Sequence, residues 1–433
     1  MQIKQTARRV VSLEFVRHAA TLVSGNVIGQ AVAFAAYLLL CRAYAPADFG
    51  LFHLFLSVGG FLSFFTTCSF HYAIVLPHDD RAGASCAQIC LAINAAASLL
   101  CLLAASTVGP WLTELTRTRS LNRLLPLLAP YICASGLWAT LNYWFIRRRD
   151  FRGIARYQVS LSAFSAGSKL GWAASANAGG LVYGTLAGQY LSLAFIALRS
   201  RETLGGLLAY NAARVRVCLR KYSNFLRFTF PKDLVNYLGG NLPYLLLAPW
   251  FPLSELGFFG MATTLAMRPV NLLVNAVYQS LYQQCIELYH RRASMRFLGK
   301  LLLRGLAVTA PAFTLLYFLL PPLTRWLLGD GWEPTGRYLQ LILPWIALTL
   351  TLNPFDYLPD IFGRQRALLG FEITLTLLRA AAMLAGVSQG SFALAIGLYT
   401  AASCAVMTAR ALWYASLVYA YEKEIAHATR RAD

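Results

Sequence analysis

The feature that most constrains this chain is a series of long, low-charge segments that recurs from one end to the other. Most approach the ~20 apolar residues needed to cross the hydrocarbon core of a bilayer. Windowed hydropathy places spans at 19–40, 51–76, 84–108, 123–145, 157–178, 180–198, 230–250, 257–283, 297–320, 336–355, 367–386 and 391–418. Only 13% of the 433 residues are charged, against roughly a quarter in soluble domains. A bilayer offers the backbone no water, so each span satisfies its own amides as a helix. The expected fold is an all-α polytopic membrane protein of about 12 transmembrane helices. The basic segment Met1–Arg17 does not read as a cleaved signal, because the apolar run after it has spanning length and Cys41-Arg42-Ala43-Tyr44 is a poor cleavage site.

An even number of crossings puts both termini on one side. If that side is the cytoplasm, its loops hold 28 of the 38 Lys and Arg, and the opposite side holds six: Arg42, Arg117, Arg119, Arg123, Arg325 and Arg337. This bias predicts cytoplasmic termini. The net charge of +20 is therefore an orientation signal and not a surface for nucleic acid. Four bases are left within or near the membrane: Lys169, Arg268, Arg379 and Arg410. The nine cysteines lie mostly in apolar segments without metal-type CxxC spacing, so no metal, disulfide or cofactor is expected.

The chain reads as two halves. Tyr37-Leu38-Leu39-Leu40 followed by Asp48-Phe49-Gly50-Leu51-Phe52 recurs as Tyr244-Leu245-Leu246-Leu247 followed by Glu255-Leu256-Gly257-Phe258-Phe259, at an offset of 207 residues. Pro46 and Pro252 sit between the paired motifs, one residue out of register. Asp150-Phe151-Arg152-Gly153 similarly resembles Asp360-Ile361-Phe362-Gly363. The expected organisation is an N-lobe at 1–205, a cytoplasmic interfacial linker at 206–229 and a C-lobe at 230–433. Six spans per lobe imply a pseudo-two-fold axis along the membrane normal, with a substrate path between the lobes. In the linker, Leu204, Leu207 and Leu208 precede Arg214, Arg216, Arg220 and Lys221, a pattern that suits an interfacial helix. Asp48 and Glu255 read as helix caps rather than catalytic acids.

Polar stripes mark the candidate site. The eighth span carries Thr264, Arg268, Asn271, Asn275, Tyr278 and Tyr282, spaced 4, 3, 4, 3 and 4 along one helix face. An arginine at membrane depth costs at least a few kcal/mol unless it meets a partner or water. The fifth span has Gln158, Ser162, Ser165 and Lys169; the eleventh has Glu372, Thr376 and Arg379. Asn26, Gln30 and Tyr37 in the first span answer to Asp233, Tyr237 and Tyr244 in the seventh. Lys232 and Asp233 lie near the cytoplasmic end and read as an interfacial pair. His71 reads as a buried, hydrogen-bonded side chain. A direct Glu372–Arg379 bridge is not expected, because seven residues separate them by ~10 Å along the axis. The candidate substrate contacts are Arg268, Lys169 and Arg379, with Asn271, Asn275, Tyr278, Asn26, Gln30, Tyr37, Tyr237 and Glu372 lining the cavity. Such a cationic interior suits an anion, and the planar Arg fork suits a diphosphate.

At Pro46-Ala47-Asp48-Phe49-Gly50-Leu51-Phe52 the sequence resembles the Wzx-type polysaccharide flippases of the multidrug/oligosaccharidyl-lipid/polysaccharide exporter superfamily. Their first periplasmic turn commonly reads Pro-x-[Asp/Glu]-[Phe/Tyr]-Gly after a Leu-rich helix. Span count and short loops extend the likeness over the chain. The resemblance implies a multi-pass protein of the bacterial inner membrane with two lobes in a V around a cationic cavity. The implied substrate is a polyprenyl-diphosphate-linked oligosaccharide repeat unit, flipped for O-antigen, capsule or exopolysaccharide assembly. It makes a monomer the expectation, and leaves open whether the protein works alone or beside a polysaccharide polymerase and a chain-length regulator. The competing readings are a drug or cation antiporter of the same superfamily, a membrane polymerase or ligase, and a fourteen-helix peptidoglycan-precursor flippase. The antiporter would favour more membrane acids. The enzyme would need a long outer loop with catalytic groups, and no such constellation or nucleotide-binding loop is visible.

Overall fold

A computed structural model describes residues 27–107, 119–175, 179–205, 207, 212–291 and 293–430. Among these, twelve long helices follow one another without a strand: α1 Val27–Ala43, α2 Pro46–Ser63, α3 Asp80–Thr107, α4 Leu128–Arg147, α5 Phe151–Ala173, α6 Gly180–Arg199, α7 Phe230–Leu247, α8 Leu253–His290, α9 Phe297–Leu328, α10 Glu333–Leu352, α11 Gln365–Ser388 and α12 Phe392–Arg430. Seven of the described helical stretches, those built on α2, α3, α6, α9, α10, α11 and α12, are long and apolar enough to cross a membrane on their own. The protein is a multi-pass membrane protein. The helices that fall short include α5, α7 and α8. These carry the polar stripes, so they need neighbours to cover one face. The first eight positions of the expected first span, 19–26, lie outside the described residues, as do Asn26 and Leu208.

The chain divides into two compact units, residues 1–237 and 238–433, with the divide inside α7. In the first unit, α1 is followed by Tyr44, whose hydroxyl donates to the Lys169 carbonyl at 2.8 Å. Pro46 then opens α2, its ring pre-set for the first helical turn. Asp48 reaches back to accept the Ala45 N–H at 3.0 Å, so the motif acid caps the helix from its third position. The second copy differs for a simple reason. There the proline, Pro252, stands one position earlier, at the cap itself. Proline has no N–H for Glu255 to accept, and Glu255 instead takes the Tyr338 hydroxyl proton in a hydrogen bond. Likewise Asp150 caps α5 by accepting the Gly153 N–H at 2.8 Å, whereas the matching Gly363 takes a positive φ of 66° ahead of α11.

The expected unbroken second span is interrupted. After α2 the chain passes through two short 3-10 turns, Phe64–Thr66 and Phe70–Val75, with Cys68 and Ser69 at positive φ between them. Apolar patterning does not register such a break. It is held in place by Ser69, whose hydroxyl donates to Asp233 at 2.8 Å, and by Thr67, within 2.8 Å of His71 Nδ1. Lys232 lies 3.7 Å from the same Asp233.

Close packing of α5 on α6 depends on Gly180, Gly184 and Gly188, a small-residue repeat of period four. A Cβ on Gly184 would stand 2.6 Å from the Lys169 backbone nitrogen, and one on Gly188 would stand 2.5 Å from the Ser165 Cα. Gly386 does the same for α11 on α12, where a Cβ would stand 2.3 Å from the Ala395 Cα. Backbone atoms, which cannot swing away, set these limits.

At the opposite end of the first unit, Arg147 donates to the carbonyls of Ile74 (3.1 Å) and Pro77 (2.7 Å) and pairs with Asp80 at 2.9 Å. Arg148 holds the other oxygen of Asp80 at 2.9 Å. The short linker helix Ala212–Lys221 is amphipathic, and its apolar side packs on this unit. Cys218 and Leu207 are buried with Phe70, Ile74, Cys86 and Trp144, while Arg216, Arg220 and Lys221 are exposed.

Gly184→Leu is expected to destabilise the purified protein by at least ~1–3 kcal/mol, the usual cost of overpacking. Gly171→Leu is expected to be tolerated, since a Cβ there meets nothing within 4 Å. Thermal unfolding in detergent compares the two; equal melting temperatures would contradict this packing.

Candidate functional site

In the second unit, α8 carries a polar face. Its buried side is apolar, with Val270, Val274, Leu281 and Cys285 at helical spacing. Asn271 and Asn275 lie on the exposed side, and Arg268 and Tyr278 are half-buried. Pro269 follows Arg268 directly inside the helix. A proline there withdraws one intrahelical hydrogen bond and bends the helix, so the stripe's one full charge sits where the backbone is also polar. The sequence carried this signal and the spacing argument passed over it. Farther along, Tyr278 and Tyr282 stack at 5.8 Å, and both pack edge-on against Tyr357 at 5.6 Å. Tyr357 is itself within 3.2 Å of the Cys285 thiol. This aromatic knot ties the stripe to the turn between α10 and α11.

Arg379 on α11 is buried, with 7% of its surface exposed. Its Nε donates to the Ser403 hydroxyl at 2.8 Å, and its guanidinium lies 4.7 Å from the Tyr399 ring and 5.3 Å from the Trp345 ring. Ser403 in turn donates to the Tyr399 carbonyl. Lys169 on α5 has a comparable environment in the first unit. It is also buried, and its ammonium faces Phe52 at 4.7 Å and Tyr37 at 5.9 Å. Aromatic faces attract a cation through the ring quadrupole, more strongly where water is excluded. Each unit thus carries a base on its fifth helix under an aromatic cover.

The lone acid of the sequence reading, Glu372, does not meet Arg379. It accepts from Arg410 on α12 at 2.9 Å. The same guanidinium reaches Asn353 Oδ1 at 3.1 Å and Asp356 at 3.5 Å, and the Tyr414 hydroxyl donates to Asp356 at 2.8 Å. The sequence reading had counted Arg410 among the membrane bases without giving it a role. Asp356 carries no periodic signal, because it lies in the turn after α10, where patterning is silent about partners, and Arg410 sits mid-helix in α12 without a polar stripe around it. Two carboxylates and one guanidinium make this cluster net negative.

The other candidate positions are dispersed. Gln30 is exposed on α1, Tyr37 is buried against Phe49 at 6.1 Å, and Asn26 is outside the described residues. Tyr237 is half-buried, with its hydroxyl shared between the carbonyls of Leu56 and Ser57 at 3.2 and 3.1 Å and its ring 5.1 Å from that of Phe64. Among the described residues no three His, Cys, Asp or Glu side chains gather as a metal site.

The sequence matches a family model described as "Polysaccharide biosynthesis protein" over residues 39–336. No curated protein sequence matches it. Among solved structures, the chain is similar to a multidrug resistance MATE family transporter of the MOP superfamily in an inward-facing conformation. The two share 15% identity over 91% of this chain and 96% of that one, with a TM-score of 0.65. It is also similar to the lipid II flippase MurJ in an inward closed conformation, at 11% identity over 94% of this chain and 87% of that one, with a TM-score of 0.66. At such identities the likeness is one of fold.

Arg410→Gln leaves Glu372 and Asp356 without their shared cation. The expected loss is toward ~3–5 kcal/mol, the cost of breaking a buried pair, reduced because the Glu372 side chain is 36% exposed. Adding Glu372→Gln to Arg410→Gln is expected to restore part of the stability. Thermal unfolding of both variants checks this; a double variant no better than the single would contradict the pairing.

Proposed function

The chain belongs to the polysaccharide biosynthesis protein family, and we propose that within it the protein is a flippase for a polyprenyl-diphosphate-linked oligosaccharide. On this reading it carries the repeat unit from the cytoplasmic to the periplasmic leaflet of a bacterial inner membrane, by alternating access, for O-antigen, capsule or exopolysaccharide assembly. On this reading both termini lie in the cytoplasm, which the bias of Lys and Arg between the two sides supports.

The observation that carries this reading is the polar face of α8: Arg268 next to Pro269, followed by the exposed Asn271 and Asn275. An arginine fork takes a diphosphate oxygen pair in bidentate fashion, and the two amides offer donors and acceptors to sugar hydroxyls. Lys169 and Arg379 add positive potential beneath their aromatic covers and reach the substrate only when those covers open. The fold likeness to a lipid II flippase is consistent with moving a lipid-linked saccharide. The substrate's tail stays in the hydrocarbon, so only the head group needs a polar path.

A second reading, a drug or cation antiporter, draws on Asp356 and Glu372 around Arg410, which raise the number of acids at membrane depth from one to two. A flippase driven by a proton or sodium gradient would use the same acids, so the substrate decides between the readings.

Complementation of a deletion strain tests the assignment. Arg268→Gln is expected to lower surface polysaccharide at least tenfold, about 1.4 kcal/mol of lost binding or more, at unchanged protein level. Arg268→Lys is expected to fall between, since an ammonium cannot bind bidentately. If Arg268→Gln, Lys169→Gln and Arg379→Gln all leave surface polysaccharide at the wild-type level, the diphosphate site is elsewhere.

A further inference from the structure

In the second unit, the start of α9, the end of α10 and the far part of α12 enclose a cavity of about 480 Å³. Its walls are apolar and include Leu298, Leu302, Phe355, Leu358 and Val418. Its rim holds Arg296, Lys423 and Glu422. The mouth is open: the Arg296 side chain is 77% exposed, Tyr419 is 74% exposed, and a Cβ on Gly299 would meet nothing within 4 Å. None of these residues belongs to the polar face of α8 or to the two covered bases.

Glu422 is already occupied. It accepts from the Ser294 hydroxyl at 2.9 Å and from the Met295 backbone N–H, and it pairs with Arg296 Nε at 3.3 Å. Its charge is thus spent on joining α12 to the start of α9. The rim keeps a net positive charge, from two bases against one engaged acid. An apolar slot below a basic rim, in a protein that sits in a bilayer, fits an amphiphile with an anionic head.

We propose that this cavity is a binding site for one acyl chain of an anionic phospholipid, its phosphate held between Arg296 and Lys423. Size selects this occupant over the polyprenyl carrier. If a methylene takes about the ~30 Å³ that a water takes in the liquid, the cavity holds on the order of sixteen methylenes. That is one acyl chain and a small part of a polyprenyl chain. Occupation fills the gap between α9, α10 and α12 and steadies the end of the unit that carries Tyr414 and, one turn before it, Arg410. The proposal requires membrane residence and no particular transport substrate.

Native mass spectrometry of the full-length protein in detergent tests it, with phosphatidylglycerol, phosphatidylethanolamine and phosphatidylcholine added at equal concentration. One phosphatidylglycerol is expected to be retained, several-fold above the other two. Gly299→Trp and, independently, Ala415→Trp fill the slot and are expected to abolish retention while thermal unfolding of the lipid-free protein stays as in wild type. Arg296→Gln with Lys423→Gln is expected to remove the preference for phosphatidylglycerol and leave chain binding in place. Wild-type retention in both tryptophan variants overturns the site. Equal retention of all three lipids, preferential retention of phosphatidylethanolamine, or displacement by equimolar undecaprenyl phosphate overturns the occupant.

Discussion

A charged side chain inside a bilayer must be met by something, and the rest of this structure follows from how each one is met. Four bases fall within or near the spans, and two of them, Lys169 and Arg379, lie under aromatic rings. Lys169 lies against Phe52 and Tyr37. Arg379 lies between Tyr399 and Trp345, with Ser403 accepting from its Nε. Arg410 is clamped by Glu372, Asn353 and Asp356. Arg268 is followed directly by Pro269, on a face where Asn271 and Asn275 are exposed. Arg268 shares its helix face with Asn271 and Asn275, and that grouping of polar side chains anchors the functional proposal.

The same constraint shapes the scaffold. Helices with few neighbours are apolar over most of their length, as α9 is between Arg304 and Arg325, with little of its span buried. Helices with polar stripes depend on close neighbours, and close approach depends on small residues. Gly184 and Gly188 bring α6 onto α5 at the level of Lys169 and Ser165. The base is thereby fixed by backbone contact on one side and by aromatic rings on the other. Polar interior groups and glycine contacts are thus one design: the former need a partner within reach, and the latter bring the partner near.

Much of this was legible in the residues themselves. Windowed hydropathy placed the helices, because a bilayer imposes a span length regardless of tertiary detail, although only seven described stretches are long and apolar enough to cross on their own. The acid of the Asp48 turn could be read as a cap, since capping is local. What stayed hidden was whatever depends on a distant partner. The break at Cys68 and Ser69 lies in the short polar stretch Thr66–Ser69, which windowed hydropathy averages away, and is stabilised by Asp233, 164 residues away in the chain. Glu255 looked like a second Asp48, yet a one-residue shift of proline sends it to Tyr338 instead. Arg410 gave no periodic signal and proved to be the partner of Glu372. The α8 stripe was visible from its spacing, whereas Pro269 beside Arg268 stands outside that spacing.

The central claim is that the protein itself moves a lipid-linked oligosaccharide across a membrane. The most direct measurement reconstitutes the purified protein in liposomes carrying a polyprenyl-diphosphate oligosaccharide in one leaflet, then follows its arrival in the other with a membrane-impermeant reagent that modifies the glycan. The account predicts transfer that depends on the protein, falls sharply with Arg268→Gln and is absent for a zwitterionic phospholipid bearing the same sugar. Transfer no faster than in protein-free liposomes, under either an imposed proton or sodium gradient, would contradict it.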